Sequence, residues 1–518
     1  LAKRAHLVRR RTRAPSGARC PHEYERAVLP YRMETQPFDL IVIGSGSAMT
    51  VGHAYLERRP GARVAVIDKD EPGGICLTRG CIPSKLLLYP AGVVREVERA
   101  STFGIETSIQ AIRFEDVMRR MRSLIDEDIS QIRYGLEHTP NLTYFHAAAE
   151  FVAPYTLQVG TTTITAPMIL LGLGSEATVP SVPGLRETGY LTSDTVLQLT
   201  TRPGAIAIVG GGYIAAEYGH FFSAMGCEVT IVGRNPRFLP GEEPEISETV
   251  RRALGRYVRI QTGQEVVRVE RVEGRKRLTL LERSTSRTSS LTVDEILIAA
   301  GRGPTTGILR PERGGIDLDA QGWVRVNEFL ETSQPKVWAF GDANGRYLFK
   351  HKANWEAEVV YENVLLGHRR SVDYHAVPHA VFTYPEVAAV GLGERAAREQ
   401  FGDDRLRIGF YWYRDTAKGQ AMGETEGFVK VLIDRSTSAV LGAHVVGPDA
   451  ANLIQEVVTI MYTPTRAFEP IRDGMHIHPA LSEVVERAVR SFLTPTEYAE
   501  AWSRERNAAR ERNGPKTS

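Results

Sequence analysis

Short apolar runs that end in glycine recur along this chain. Residues 38–43 read Phe-Asp-Leu-Ile-Val-Ile and residues 205–209 read Ala-Ile-Ala-Ile-Val. Runs of this length, rich in β-branched residues and closed by a turn, predict buried strands. Each is followed by the same succession of elements. A helix at 51–58 and a strand at 63–67 follow the first; a helix at 216–225 and a strand at 228–232 follow the second. No apolar run approaches the roughly 20 residues needed to cross a bilayer as a helix.

Between each strand and its helix lies a glycine turn: Gly44-Ser45-Gly46-Ser47-Ala48-Met49 in the first unit and Gly210-Gly211-Gly212-Tyr213-Ile214-Ala215 in the second. A strand, a glycine turn and a helix form the first half of a dinucleotide-binding fold. The glycines let the backbone approach a pyrophosphate, and the helix start offers free N–H groups and a positive dipole end. Asp68, at the end of the first unit's second strand, is placed to take the hydroxyls of a ribose. Met49 stands where a third glycine is usual. The corresponding strand of the second unit ends in Gly233-Arg234-Asn235-Pro236-Arg237, with no acid. Arg234 and Arg237 there favour NADP(H) over NAD(H), because an acid would repel the 2′-phosphate. Two such units in one chain predict two bound dinucleotides.

At 518 residues the chain exceeds a single core and predicts about three domains. A formal net charge of +2 gives no reason to expect nucleic acid or an acidic membrane as partner. Residues 1–32 are rich in arginine and lack periodicity, and are read as an extension or disordered arm ahead of Met33, with a basic transit peptide as the alternative that Glu23 and Glu25 count against; residues 496–518 are read as a polar tail.

Of the four cysteines, Cys76 and Cys81 share one run, Gly-Gly-Ile-Cys-Leu-Thr-Arg-Gly-Cys-Ile-Pro-Ser-Lys, at 73–85. So few cysteines argue against a secreted disulfide framework and for an intracellular, cytoplasmic protein with one redox dithiol. Pro83 suits the first turn of a helix. Cys81 would then lie at the positive end of that helix with Lys85 one turn on, a site that lowers a thiol pKa. A zinc site would need further ligands, and no second cysteine pair exists, so no metal is expected.

Two dinucleotide units, the first followed by Gly-Gly-x-Cys-x-x-x-x-Cys-Ile-Pro-Ser-Lys, resemble the FAD-dependent pyridine nucleotide–disulfide oxidoreductases. The resemblance runs from about residue 33 to 490. It implies an α/β fold: an FAD domain (33–185 and 302–372), an NAD(P) domain (186–301) and a C-terminal α+β dimerisation domain (373–495). It implies FAD on the turn with Gly44 and Gly46, and the nicotinamide cofactor on the turn with Gly210 and Gly212. By the same resemblance Cys81 is the thiol facing the flavin, Cys76 exchanges with substrate, and Lys85, paired with Glu217, meets the flavin ring. Tyr213 matches a tyrosine over the nicotinamide site. Asp342, in Trp-Ala-Phe-Gly-Asp-Ala, matches the ligand of the ribityl chain, and Gly301 closes the NAD(P) domain. Leu171-Gly172-Leu173-Gly174 stands in place of the usual Ala-Thr-Gly, with Gly174 at the cofactor.

Thiol–disulfide exchange also needs a base, and histidine titrates in the right range. In His476-Ile477-His478-Pro479-Ala480-Leu481-Ser482-Glu483, His478 is the expected base and Glu483 its orienting carboxylate. In the family this segment serves the opposite subunit, which implies a homodimer. Within the family the motifs are similar to dihydrolipoyl dehydrogenase, which acts on the lipoyl group of 2-oxoacid dehydrogenase complexes. They also resemble mycothione- and glutathione-type NADPH-dependent reductases of small disulfides, which remain the alternative. Retention of Cys76, Cys81 and His478 argues against a redox-inactive flavoprotein scaffold. Arg79, inside the dithiol loop, either steers an anionic substrate or faces solvent.

Overall fold

The computed structural model describes residues 35–513, with side chains as far as residue 506; the basic arm and Cys20 lie outside the described residues. Strand Leu40–Ile43 is buried along its whole length at the centre of a five-stranded parallel sheet. Across that sheet the strands run Val337–Ala339, Ile169–Leu171, Leu40–Ile43, Val64–Asp68 and Leu142–His146. The strand order reverses at Leu40–Ile43, and open α/β sheets bind ligands beyond the carboxyl ends of the strands at such a point. Gly44 stands there.

Steric contact explains the glycines of this turn. Gly44 has φ +96°, and a Cβ on it would lie 2.1 Å from the Gly172 carbonyl oxygen. Gly172 is confined in turn, since its own Cβ would lie 2.8 Å from that of Ala48. The departure at 171–174 therefore keeps a glycine where the two turns meet. Met49 is buried, and helix Ala48–Arg58 begins within the turn rather than at residue 51. Close approach of helix to sheet falls instead to Gly52, whose added Cβ would meet Val42 at 3.3 Å.

The second unit repeats this plan. Strands Leu191–Thr192, Glu295–Ile298, Ala205–Val209, Glu228–Gly233 and Arg259–Thr262 form a parallel sheet in that order. Gly210 has φ +146°, and its Cβ would stand 2.0 Å from the Ala299 carbonyl oxygen, as Gly44 does against Gly172. Helix Tyr213–Ala224 begins directly after the turn.

The C-terminal unit is a six-stranded antiparallel sheet: His379–Val381, Val387–Gly391, Val440–Val446, Phe428–Asp434, Leu406–Trp412 and Phe492–Leu493. Helix Ala450–Met461 covers it through Ile454, Val457 and Met461. Lys430 is fully buried and ties this sheet to the second unit: its ammonium lies 2.6 Å from Glu243, 3.2 Å from Glu245 and 2.6 Å from Glu394. The stretch read as a polar tail forms helix Pro495–Asn513 instead. Tyr498 is buried, and Trp502 stacks on Trp412 at 5.7 Å, contacts that a composition-based reading does not reveal.

Candidate active site

Gly73 and Gly74 have φ +112° and +73°, and a Cβ on Gly74 would come within 2.7 Å of the Gly46 Cα. The short helix Gly74–Thr78, which carries Cys76, is thus laid directly on the first glycine turn. Gly80 lets the chain double back, since its Cβ would stand 2.8 Å from the Ile75 carbonyl oxygen. Helix Cys81–Arg99 then opens with Cys81, and the Ser84 hydroxyl donates to the Cys81 carbonyl at 3.0 Å.

Both cysteines are free thiols, Cys76 half-buried and Cys81 exposed, and both line one cleft. The neighbouring Cys76 thiol is the largest influence on Cys81; with help from the Lys85 charge it holds that thiol down at about 7. Cys76 is pushed up for the complementary reason: the neighbouring Cys81 thiol, burial and the Cys81 charge all disfavour its thiolate. A dithiol with one acidic member is poised to lose a single proton.

Lys85 Nζ lies 3.0 Å from both carboxylate oxygens of Glu217 and 4.6 Å from the centre of the Phe382 ring. Glu217 is buried and also accepts the Phe382 N–H at 3.0 Å. Its carboxylate therefore joins the helix carrying Cys81, its own helix Tyr213–Ala224, and the turn between strands His379–Val381 and Val387–Gly391 of the antiparallel sheet.

One long cleft brings together Gly44, Gly46, Asp68, Cys76, Cys81, Lys85, Gly174, Tyr213, Glu217 and Asp342. Gly174, with φ +69°, packs on Ile75. Asp342 accepts the Ser175 hydroxyl at 2.5 Å, and Arg302 bridges Ser175 by donating to its hydroxyl and its carbonyl, each at 2.7 Å. Asp68 is tied into the turn: its carboxylate accepts the Ser45 N–H at 2.8 Å and the Ser45 hydroxyl at 2.6 Å. These residues fit an FAD molecule: a bare glycine turn heads a helix, an acid ends the next strand, and Asp342 lines the same cleft as that turn and the dithiol.

The second turn, with Gly210 and Gly212, lies on the other parallel sheet, outside this cleft lining. A Cβ on Gly212 would meet nothing within 4 Å, which leaves the helix start open to a second pyrophosphate. Gly301, at φ +119°, turns the chain from that sheet towards Arg302. Arg234 is exposed. Arg237 is exposed too, but donates to the Pro240 and Glu242 carbonyls at 3.0 and 3.4 Å, so its guanidinium is turned back on its own loop.

His478 and Glu483 are not in the cleft with the cysteines of the same chain. They lie beside the antiparallel sheet, where His478 Nδ1 is 3.0 Å from Glu483 and the imidazole is 69% exposed. The hydrogen bond from His478 is what holds the Glu483 carboxyl below its ordinary range. His476 is engaged with Glu456 at 2.9 Å and with the Gly474 carbonyl at 3.1 Å, so of the two histidines His478 alone presents a ring edge outward. Met475 and Ile477 beside it are exposed apolar side chains.

Arg79 fulfils neither expectation. It lies 2.5 Å from Asp70 and 3.3 Å from Asp194, which neutralise it and use it to join two segments. The sequence reading also passed over Arg302, Phe382 and Lys350 as parts of this site; only the basic run Lys-His-Lys at a helix start hinted at the last.

A family model described as pyridine nucleotide-disulphide oxidoreductase matches residues 38–357, and that family's dimerisation domain matches residues 377–489. The chain belongs to the pyridine nucleotide–disulphide oxidoreductases. This family uses FAD and NAD(P)H, in agreement with the two glycine turns. Mycothione reductase of Mycobacterium tuberculosis is 35% identical over 473 residues, which cover 88% of this chain and 99% of that one. Dihydrolipoyl dehydrogenase of Chlamydia pneumoniae is 32% identical over 455 residues, covering 87% and 96%. Among solved structures, the HOCl-induced flavoprotein disulfide reductase RclA of Escherichia coli superposes with a TM-score of 0.78 at 28% identity, covering 88% of this chain and 100% of that one. As a disulfide oxidoreductase with a mixed α/β fold, the chain has no helix among the described residues long and apolar enough to cross a membrane.

Proposed function

We propose that this disulfide oxidoreductase works as a homodimer in the cytoplasm and reduces a small disulfide with electrons from NADPH. The observation that carries the reading is the Cys76–Cys81 thiol pair lining one cleft, Cys81 at a helix start with Lys85 one turn on and paired with buried Glu217. Bound FAD supplies the two-electron relay between the nicotinamide and Cys81. The His478 imidazole of the partner subunit takes the Cys76 proton as that sulfur attacks one substrate sulfur and forms a mixed disulfide. The departing thiolate takes its proton from the His478 imidazolium of the partner subunit. Cys81, as the thiolate, then attacks the Cys76 sulfur, closing the Cys76–Cys81 disulfide and releasing the second substrate sulfur as a thiolate. Glu483 keeps the His478 ring in one tautomer and stabilises its cation. The separation of His478 from the cysteines within one chain, its exposed edge and the matched dimerisation domain support a base supplied in trans.

NADPH is favoured because Arg234 is exposed at the end of its strand and no acid stands there. A second reading, oxidation of dihydrolipoyl groups with NAD+ or NADP+, is favoured by the relatives that are dihydrolipoyl dehydrogenases and by the His-Ile-His-Pro run. Steady-state assays decide between them: NADPH with mycothione, oxidised glutathione and bis-γ-glutamylcystine, against NAD+ or NADP+ with dihydrolipoamide. Turnover of a small disulfide with NADPH at least tenfold above the dihydrolipoamide reaction supports the reductase reading; the reverse ratio overturns it.

A further inference from the structure

Residues 234–243 join strand Glu228–Gly233 to helix Pro244–Leu254 and run between the second glycine turn and the antiparallel sheet. Gly233, just before this loop, packs on the turn: a Cβ added to it would stand 3.4 Å from the Gly211 Cα. Midway along the loop, the Leu239 N–H donates to the Gly211 carbonyl at 2.8 Å. Leu239 is buried and has φ +46°, in the left-handed region that a bulky side chain seldom adopts. Such a conformation persists only where its surroundings hold it from more than one side. The glycine turn supplies one of those sides.

The C-terminal unit supplies the other. Glu242 donates its N–H to the Leu239 carbonyl at 3.0 Å, and its carboxylate lies 2.8 Å from His379 Nε2. Glu243 accepts the Glu394 N–H at 3.1 Å and lies 2.6 Å from the buried Lys430 ammonium, which also holds Glu245 and Glu394. One ammonium thus stands among three carboxylates, from the loop, the helix after it and the C-terminal unit. Deprived of that cation, buried carboxylates repel one another and turn towards water, which would draw the end of the loop off the sheet. The strain at Leu239 then has one anchor left. We propose that Lys430 and His379 are positioning residues for the nicotinamide dinucleotide. From the antiparallel sheet they hold Leu239 against Gly211, and so fix the second turn and Arg234 in the shape that receives pyrophosphate and adenosine. This rests on the second turn being the nicotinamide turn. Both residues act through the loop, so they govern nucleotide affinity and leave the hydride and thiol steps alone.

The test titrates the oxidised holoenzyme with NADP+ and NAD+ by calorimetry and follows flavin reduction by NADPH and NADH in stopped flow. Lys430→Met should weaken the tighter-binding nucleotide about tenfold. The concentration of its reduced form at half-maximal flavin reduction should rise to match, with the limiting rate within about twofold of the parent. His379→Ala, which removes the Glu242 contact and leaves Lys430 in place, should weaken binding about threefold. His379→Gln, which keeps an N–H for Glu242, should bind as the parent does. A lowered melting temperature with parental nucleotide affinity in both Lys430→Met and His379→Ala would overturn the proposal and leave the cluster a joint between domains. If Lys430→Met does not fold, the His379 variants decide, and parental affinity in His379→Ala overturns it. The underlying reading is checked separately: a Gly210→Ala protein that binds the nucleotide as tightly as the parent would refute the second turn as its site, whatever the Lys430 and His379 variants do.

Discussion

Lys85 and Glu217 are 132 residues apart in sequence and meet with Nζ 3.0 Å from both carboxylate oxygens, directly behind Cys81. The pair sets the electrostatics of that thiol from both sides, because the Lys85 ammonium favours the Cys81 thiolate and the Glu217 carboxylate opposes it. Lys85→Met should therefore raise the pH at which Cys81 ionises, and Glu217→Gln should lower it. The absorbance of the reduced protein in the thiolate–flavin charge-transfer region, titrated against pH, reports both. Equal midpoints in all three proteins would contradict this arrangement.

Cys81 ionises at about 7 in the fold and at 9.0 as an ordinary thiol. An acid whose folded pKa is depressed contributes stability above its unfolded pKa and loses that contribution as pH falls through the folded value. With the pair reduced, wild-type stability relative to Cys81→Ser should rise between about pH 7 and 9. Cys76 has the opposite sign: its thiol stays protonated in the fold, so it subtracts stability above about pH 9. Urea midpoints across this range measure the difference, and a flat difference would refute the assignment.

Gly44 and Gly210 face the same steric barrier in separate sheets, with added Cβ atoms 2.1 and 2.0 Å from carbonyl oxygens. Gly44→Ala should abolish flavin retention. Gly210→Ala should keep the protein yellow and lose reduction by NADPH. Swapped phenotypes would reverse the assignment of the two turns.

Arg234 and Arg237 separate under mutation for a reason visible only in three dimensions. Both side chains are exposed, but Arg237 donates to the Pro240 and Glu242 carbonyls, whereas the Arg234 guanidinium has no hydrogen bond among the described residues. Arg234→Ala should raise KM for NADPH about tenfold or more with little change for NADH. Arg237→Ala should shift both less than threefold. The ratio of kcat/KM for the two nucleotides is the readout.

Much of this arrangement is legible in the sequence, and the part that is not has a common cause. The glycine turns, their strands and the Cys76–Cys81 run are local features, fixed by near-neighbour sterics and periodicity. What escapes is set by residues distant along the chain. Arg79 is claimed by Asp194 as well as by Asp70, Gly52 replaces the third glycine because Val42 passes beneath it, and helix Pro495–Asn513 forms where Trp502 finds Trp412. The sequence motif of His478 and Glu483 identified a dyad. Only the fold shows it turned outward, away from the cysteines of its own chain.

Hybrid dimers test most directly whether Cys76 and Cys81 of one subunit are served by His478 of the other. Cys76→Ser and His478→Ala homodimers should each be nearly inactive as disulfide reductases. Unfolding and refolding them together in equal amounts gives half hybrid dimers, each with one intact site, so about a quarter of wild-type activity should return. If exchange is verified and the mixture remains as inactive as its parents, the base does not come from the partner subunit and the account is wrong.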